Sequence, residues 1–397
     1  MAAEQTTLMN KSTHDLTPFL LVCVIGFAAF FSSYLRVPVM PLFAATLGAG
    51  PVQVGTINGA FMLTVGLLSM PAGLLADRTG RKVPIIAGVA ATAVSSLLVT
   101  LCSKPEQMVA AYILFGVGLA AFAPAMLSLV ADVIPSNRLG QAYGWYTTAI
   151  YIAMTLGPAL GGYLAKVLGL RQVFFVSGGL LAAVTVLALL ILPKGPSRYK
   201  ADLPRALSSS LSLLRNRNLL ACLLATVGSC VGFGVFLTFL PLYASQQGYD
   251  AAQVGLVFAA QAVINVFGRV PIGRLADRYD RRWLVAIGLV FLAIPLMTLG
   301  QVVLLSHLMA CAVIMGVGIA LTFTAIGALI AELIPAMQRG LAMGMYNSCI
   351  YLGMMFGSTV MGISLKKIGY PLGFAAAGSS ALMVLVLFLW MMRGDKK

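Results

Sequence analysis

Two arginines stand inside otherwise apolar stretches of the sequence. Arg36 falls in the first such stretch, and Arg269 lies four residues before Gly273. A charge in the interior of a membrane helix costs at least about 2.5 kcal/mol on insertion scales, so it normally faces a watery cavity or a partner. Because none of the 11 Asp and Glu residues lies near the middle of an apolar stretch, both arginines could serve to bind an anion.

Arg269 could instead reach the membrane surface. It is about a turn from the end of its stretch, and a long side chain can snorkel from there. Amides are also costly against lipid, so Asn58, Gln261 and Asn265 join the two arginines as candidate substrate-binding residues. Aromatic residues nearby could line an apolar pocket, although aromatic residues in membrane helices more often serve packing: Phe233, Phe236, Phe239, Tyr146, Tyr151, Tyr346 and Tyr351.

The composition is that of an integral membrane protein. Of 397 residues, 60% are hydrophobic and 9% are charged, whereas soluble domains carry about 25% charged residues. A spanning helix needs about 20 apolar residues, and the chain has twelve such stretches, which we call spans 1 to 12. They lie at 18–44, 51–75, 83–103, 107–133, 140–167, 172–193, 219–245, 251–274, 283–304, 307–333, 341–365 and 371–392.

Lysine and arginine are distributed unequally between the two sides of these spans. Nineteen of the 26 fall on the side of the N-terminus, five on the other side and two inside spans. Because cytoplasmic connections carry the excess of positive charge, we expect a multi-pass protein of the cell (inner) membrane with both termini in the cytoplasm. The same distribution argues against a nucleic-acid partner, which would need one basic surface.

An offset of 200 residues aligns the two halves of the chain. Gln53-Val-Gly55 matches Gln253-Val-Gly255, and many other glycines and prolines keep the same register. Two parallel repeats of this kind place a substrate site between them, near the bilayer midplane. The fold class that we expect is all-α, with twelve transmembrane helices in two pseudo-symmetric six-helix bundles. The predicted ranges are a tail at 1–17, bundles at 18–193 and 219–392, a cytoplasmic linker at 194–218 and a tail at 393–397.

A charged motif follows span 2 and recurs after span 8. It reads Gly73-Leu-Leu-Ala-Asp77-Arg78-Thr-Gly-Arg81, and its second copy reads Gly273-Arg-Leu-Ala-Asp277-Arg278-Tyr-Asp280-Arg281. Both copies resemble the signature loop of the major facilitator superfamily (MFS), and the resemblance covers essentially the whole chain. It implies a monomeric transporter that works by alternating access, in which this loop latches the outward-open state. Asp280 stands where the family prefers glycine, so the second latch should be weaker.

Span 5 carries Gly157-Pro158-Ala-Leu-Gly161-Gly162. This segment resembles the antiporter motif of the twelve-helix drug-efflux branch, whose members are drug:proton antiporters. Pro158 removes a backbone hydrogen bond and permits a kink, while the glycines allow close packing. The resemblance favours export, and a purely structural packing patch is the alternative. These four residues and the loop motifs are our candidate gating residues.

Two acids occupy equivalent positions at the ends of spans 4 and 10, namely Asp132 and Glu332. Exporters of lipophilic cations in this family usually keep a carboxylate in the cavity, and this chain offers none there. Tyr112 stands where many proton-coupled members have an arginine. Both departures weaken the case for proton coupling. Asp132 and Glu332 are candidate gating residues, and one of them is the expected carrier if protons are the coupling ion.

The expected function is secondary active export of a small amphipathic molecule, neutral or anionic. An organic-anion or monocarboxylate carrier with Arg36 and Arg269 as counter-charges is the alternative, and a non-transporting receptor or scaffold is a third hypothesis. An enzyme is not indicated, because we find no nucleophile with a base and no phosphate-binding loop. We expect no cofactor and no metal; the partners are the substrate and the lipid bilayer.

Overall fold

The computed structural model describes residues 16–135, 138–192, 213–335 and 338–392. Within these ranges the regular structure is helical and most connections are short. Nearly all of the predicted N-terminal tail, most of the linker and the C-terminal tail lie outside the described ranges.

Helices occupy all twelve predicted spans. Within the described ranges, ten helices are long and apolar enough to cross a membrane. The last of them, Arg339–Met392, contains spans 11 and 12, joined at Gly369 with φ 71°. Spans 2 to 7 are Pro51–Thr79, Lys82–Leu101, Pro105–Val133, Leu139–Leu168, Leu170–Ile191 and Arg217–Gln246, and spans 9 and 10 are Arg281–Leu299 and Leu305–Leu333.

Successive spans run antiparallel, so the connections form two faces. The basic face carries the connections after spans 2 and 8, with Arg78, Arg81, Arg278 and Arg281. The opposite face carries the connections after spans 1 and 7. We use these two names below.

Span 1 is broken, although the sequence predicted one helix over 18–44. It consists of Thr17–Tyr34 and Val39–Thr46. Pro38 has no N–H group and cannot continue the helical ladder. The second helix starts instead with the N–H groups of Val39 and Met40, which donate to the carbonyl oxygen of Arg36 at 3.2 and 2.9 Å. Arg36 therefore lies in a turn between two helices, not in a helix interior.

Span 8 is broken too, and the prediction of one helix over 251–274 was wrong in the same way. It consists of Ala251–Phe267 and Arg269–Arg278, separated at Gly268. Arg269 is thus the first residue of the second helix. Span 7 is continuous, since the residue equivalent to Pro38 is Thr238.

The internal repeat is visible in the backbone. Left-handed glycines occur in equivalent pairs at the opposite face: Gly48 and Gly248 both have φ 86°, and Gly169 and Gly369 have φ 96° and 71°. Only glycine adopts such angles without strain, which explains why these glycines repeat.

The glutamine that recurs in the two halves has a capping role. The side-chain oxygen of Gln53 accepts from the N–H of Gly50 at 2.9 Å, and that of Gln253 accepts from the N–H of Asp250 at 2.9 Å. Each bond satisfies a donor at the start of a span. The repeat therefore preserves helix starts as well as packing.

Gly80 in the first loop motif corresponds to Asp280 in the second, and the local backbone explains the difference. Gly80 has φ 84°, whereas its equivalent Asp280 has φ −59°. The carboxylate of Asp280 accepts from the N–H of Arg282 at 2.9 Å and so caps span 9. The second loop thus exchanges a left-handed turn for a side-chain cap.

The buried core is shared at the opposite face and divided at the basic face. One large cluster joins residues of both halves, among them Ile57 and Phe239. Nearer the basic face the first half has its own cluster around Met126, and the second half has one around the equivalent Ile326. The halves are therefore packed together from the opposite face to the middle of the spans, and their clusters are separate nearer the basic face.

The glycines of span 5 allow it to lie against the break in span 1. A Cβ atom on Gly157 would meet the Cβ of Tyr34 at 2.7 Å, and one on Gly161 would overlap the carbonyl of Leu35. Backbone atoms cannot move aside for the added Cβ as the end of a flexible side chain can. This close approach supports the turn that contains Arg36.

We expect Gly161→Ala to lower the melting temperature of the purified protein, because overpacking against backbone costs about 1–3 kcal/mol. Gly179→Ala is the matched control: Gly179 is also inside a helix, but no described atom lies within 4 Å of the added Cβ. The control should melt at or above the wild-type temperature. Equal melting of the two variants would contradict the assigned contact.

Candidate functional site

A cavity of about 670 Å³ lies between the two halves. Spans 1, 2, 4 and 5 form one wall, and spans 7, 8, 10 and 11 form the other. Pockets of this size accommodate organic molecules. The wall is mainly apolar and rich in aromatic side chains, which include Tyr34, Phe61, Phe115, Tyr151, Phe233, Phe323 and Tyr351.

Two helix pairs close the cavity toward the opposite face. Gly55 of span 2 packs against the backbone of Ser358 and Gly362 in span 11, and Gly255 of span 8 packs against Gly162 in span 5. The two contacts are equivalent under the 200-residue offset. Small residues at such crossings let two backbones touch, so this end has no room for a passage.

At the basic face the same helix pairs make no such glycine contact with the residues that the structure describes. Four glycines lie there in equivalent positions: Gly73, Gly144, Gly273 and Gly344. A Cβ on any of them would meet no atom of the described residues within 4 Å. The cavity lining extends to Met343, beside Gly344. The cavity is therefore reached from the basic face.

The broken turn of span 1 places Arg36 in the cavity wall, 1% exposed. Its Nη1 donates to Ser96 Oγ at 2.8 Å. Its Cζ lies 3.2 Å from the ring centroid of Phe115 and 4.9 Å from that of Tyr112. Cations are attracted to aromatic faces. Among the residues that the structure describes, these contacts hold the guanidinium with one hydrogen bond and without an acid.

Arg36 is the charged residue among the described lining residues. Within the described ranges there is also no cluster of three His, Cys, Asp or Glu side chains that could hold a metal ion. The chemistry of the described wall is thus aromatic contact, a few hydroxyl and amide groups and a single positive charge.

Asn58 and Gln261 also lie in the wall. The Nδ2 of Asn58 donates to Thr238 Oγ1 at 3.0 Å, and the hydroxyls of Thr238 and Ser358 are 2.8 Å apart. Asn58 therefore links the two halves. Gln261 is 6% exposed. The side chains of Asn265 and Arg269 lie outside the described part of the structure.

The aromatic candidates separate into two groups. Four of the seven line the cavity, namely Phe233, Tyr151, Tyr346 and Tyr351. The other three, Phe236, Phe239 and Tyr146, are buried in the helix packing. The second group shows why an aromatic residue in a membrane helix is a weak sign of a site.

The acids of spans 4 and 10 pair with arginines of their own half. Arg81 Nε lies 3.2 Å from a carboxylate oxygen of Asp132, and Arg281 pairs with Glu332 in the equivalent place. Each pair ties a loop to a span within one bundle. Arg78 and Arg278 are exposed, and the side chains of Asp77 and Asp277 lie outside the described part of the structure.

Comparison with known proteins agrees with this architecture. A model of the Major Facilitator Superfamily matches residues 22–270 and 222–397. The chain belongs to the Major Facilitator Superfamily. It is therefore a multi-pass membrane transporter.

Relatives in this superfamily match over nearly their full length. The chain is 27% identical to an uncharacterised MFS-type transporter of Methanocaldococcus jannaschii, over 89% of this chain and 90% of the relative. It is 25% identical to multidrug resistance protein 1 of Bacillus subtilis, over 92% and 94%.

Solved structures of other transporters share the fold. A nucleoside transporter, NupG, superposes with a TM-score of 0.80 at 13% identity, covering 95% of this chain and 100% of that one. A bacterial homologue of the lysosomal transporter Spinster, in an inward-facing and occupied conformation, also gives 0.80, at 15% identity over 96% and 97%.

Some of the residues in and behind the cavity wall of this MFS chain were not predicted from the sequence. Ser33, Ser96 and Phe115 surround Arg36, but small hydroxyls and phenylalanines in membrane helices are too common to single out. Tyr112 drew notice only as a departure from the family. The pairing of these residues depends on the turn at Pro38, which the apolar pattern did not show.

An ion pair links the two halves at the closed end of this MFS fold. Lys166 Nζ, at the end of span 5, lies 2.8 Å from a carboxylate oxygen of Asp250, which precedes span 8. Asp250 also accepts from the N–H of Gln253 at 2.9 Å and caps that span. Under the offset Lys166 corresponds to Lys366, but Asp250 corresponds to Gly50. The pair therefore has no copy at the other crossing.

We expect Asp250→Asn and Lys166→Gln to shift the protein toward a state open at the opposite face. Asparagine still caps a helix, so Asp250→Asn removes the charge and keeps the cap. Exposed pairs are weak, and the populations should change by roughly two- to five-fold. Spin labels at Ser103→Cys and Val303→Cys, in equivalent exposed connections of that face, would measure the distance distribution.

Lys366→Gln is the matched control and should leave the distribution unchanged. The hydrogen bond to Lys166 holds the pKa of Asp250 below its ordinary value of 3.8. The carboxylate contributes above that pKa and loses its effect only as the pH falls through it. The shift should therefore be the same at pH 5 and pH 8. Identical distributions in wild type and both pair variants would remove the pair from the closing mechanism.

Proposed function

We propose that this chain is a secondary transporter that exports a small amphipathic organic molecule by alternating access. The observation that carries the proposal is the aromatic-lined cavity between the halves, closed at one face and reached from the other. The Lys/Arg bias makes the basic face cytoplasmic, so this conformation would receive substrate from the cytoplasm, with both termini on that side.

Two further observations favour export over uptake. The relatives that match over nearly full length include multidrug resistance protein 1 of Bacillus subtilis and a multidrug efflux pump homologue of Lactococcus lactis, at 25% identity each. The motif Gly157-Pro158 to Gly161-Gly162 resembles that of exporters and lies at the two contacts of span 5. An apolar, aromatic wall suits amphipathic molecules of varied shape.

The register of the helix pairs indicates how the basic face would close in the other conformation of the alternating-access cycle. Spans 2 and 11 run antiparallel and are in contact from Gly55 to Gly66, which lies beside Ser348. The same register continued to the basic face sets Gly73 opposite Gly344. By the offset, Gly273 meets Gly144. These four glycines would then form the seal that Gly55, Gly255, Gly162 and Gly362 form at the opposite face.

A disulfide between Gly73→Cys and Gly344→Cys should form during turnover and stop export, because the bond would trap the state closed at the basic face. The background is a chain with its six native cysteines replaced. Efflux of N-phenyl-1-naphthylamine, a neutral fluorescent amphiphile, from preloaded cells is the measurement. We expect the rate to fall to that of cells without the protein and to recover on reduction.

The control pair is Gly73→Cys with Gly144→Cys, two equally open positions within one bundle that the register does not bring together. This pair should neither cross-link nor slow efflux. Efflux that persists in the cross-linked Gly73–Gly344 protein would reject the alternating-access proposal. An absence of efflux in the wild-type background would reject export of neutral amphiphiles.

Protons are the coupling ion that we propose, with Asp132 as carrier. The side chain of Asp132 is 13% exposed, while that of the equivalent Glu332 is 62% exposed, so Asp132 is better shielded from bulk water. Protonation of Asp132 would break its ion pair with Arg81.

A protonophore should slow efflux of the amphiphile in wild type and in Glu332→Gln. In Asp132→Asn, efflux should be slower and no longer respond to the protonophore, because the carrier is fixed in a neutral form. Efflux that is indifferent to the protonophore in the wild type would exclude proton coupling, and a loss of the response in Glu332→Gln alone would assign the carrier to the other half.

A further inference from the structure

The guanidinium of Arg36 has one edge without a partner among the described residues. Nη1 is used by Ser96, and the flat face is covered by Phe115. Nε and Nη2 are buried and make no hydrogen bond with any described residue. These two atoms form the side edge of the guanidinium, whose parallel N–H groups match the two oxygens of a carboxylate.

Two further buried donors without a partner among the described residues belong to residues that line the same cavity as Arg36. The hydroxyl of Tyr112, whose ring is 4.9 Å from the Arg36 Cζ, has no partner among the described residues, and neither has that of Ser33, one turn earlier on span 1. Arg36, Ser33 and Tyr112 all line the cavity. Buried polar groups are normally bonded, so three of them in one corner indicate a group that is supplied from outside the chain.

The surroundings favour a negative group with an apolar body. A buried charge without a counter-charge is costly, and no described lining residue is acidic. A carboxylate would satisfy both free N–H groups of the guanidinium and bring the missing charge. The remaining wall is aromatic, with Phe61 stacked on Phe115 at 4.6 Å between ring centroids, so the rest of the ligand would be flat and apolar.

We propose that this corner is a carboxylate subsite, and that the substrate is an amphipathic aromatic monocarboxylate held by Arg36 through its Nε and Nη2. Tyr112 and Ser33 donate to the same carboxylate. The proposal rests on the export function above and names its substrate class. Ser96 is a positioning residue, since its hydroxyl contacts the guanidinium and that of Ser177 and is not part of the described cavity lining.

The test is equilibrium binding of 2-naphthoate and 2-naphthamide to the full chain in lipid nanodiscs. The two probes share a ring system and differ in charge. Wild type should bind naphthoate at least ten-fold more tightly than naphthamide. Arg36→Gln should lose this preference while its affinity for naphthamide stays within two-fold. Arg36→Lys should keep part of the preference, because lysine is a point charge without the two-pronged edge.

Arg171→Gln is the matched control. Arg171 also lies over an aromatic ring, at 5.6 Å from that of Phe43, but it is outside the cavity lining. This variant should bind both probes as wild type does. If Arg36→Gln fails to fold, as judged by gel filtration and lost naphthamide binding, Tyr112→Phe takes its place. It removes one hydroxyl and should weaken naphthoate several-fold and leave naphthamide unchanged.

The outcomes separate this inference from the export proposal. Equal affinity of wild type for the two probes, or an undiminished preference in Arg36→Gln or Tyr112→Phe, overturns the carboxylate subsite while efflux of the neutral amphiphile still stands. Loss of efflux of the neutral amphiphile from wild-type cells, with the naphthoate preference intact, leaves the subsite and rejects that exporter.

Discussion

Close contact between backbones of different halves is the constraint on which the rest of this structure depends. Spans 2 and 11 touch through Gly55 and Gly362, and spans 5 and 8 touch through Gly162 and Gly255. A contact of this kind has no flexible side chain that could fill the gap if the two helices moved slightly apart. It is therefore either made or broken. Because each pair touches at one face and separates at the other, the space between the halves must be open at one end. The cavity is a consequence of these crossings and of the glycines that permit them.

The chemistry of the cavity follows from a second constraint, the cost of a charge in a membrane. Arg36 is placed there by the turn at Pro38 and by Gly161, which lets span 5 support that turn. The aromatic rings of Phe115 and Tyr112 lower the cost of the charge without neutralising it. In a site for a cation an acid would be expected in the wall; the described wall instead has donors. In the proposed site, the apolar surface sets the size and shape of the ligand, and the polar corner sets the sign of its charge.

The sequence predicted most of the scaffold and less of the site. The spans and the repeat were readable because twenty apolar residues and a 200-residue register leave few alternatives, and the repeated glycines proved to be turns and crossings. The breaks in spans 1 and 8 were not predicted. Counting apolar residues does not reveal, for example, that Pro38 lacks the N–H group that a continuous helix needs. Partners across helices were also hidden: Asp132 and Glu332 could be placed near arginine-rich loops, but their pairing with Arg81 and Arg281 within one bundle required the fold. Lys166 and Asp250 lie far apart in sequence and give no pattern.

Three differences between the two halves make the cavity and its closed end asymmetric. Pro38 breaks span 1, whereas Thr238 leaves span 7 continuous and accepts a hydrogen bond from Asn58. Arg36 in one half corresponds to Phe236 in the other, so the charge of the described cavity wall lies on the side of the first half. Asp250 joins the halves at one crossing, and Gly50 leaves the other without the pair. The repeat gives two equivalent contacts at the opposite face, and the proposed alternation would use two equivalent contacts at the basic face. Asymmetric substitutions then give the cavity one polar corner, and hence one orientation for a bound molecule.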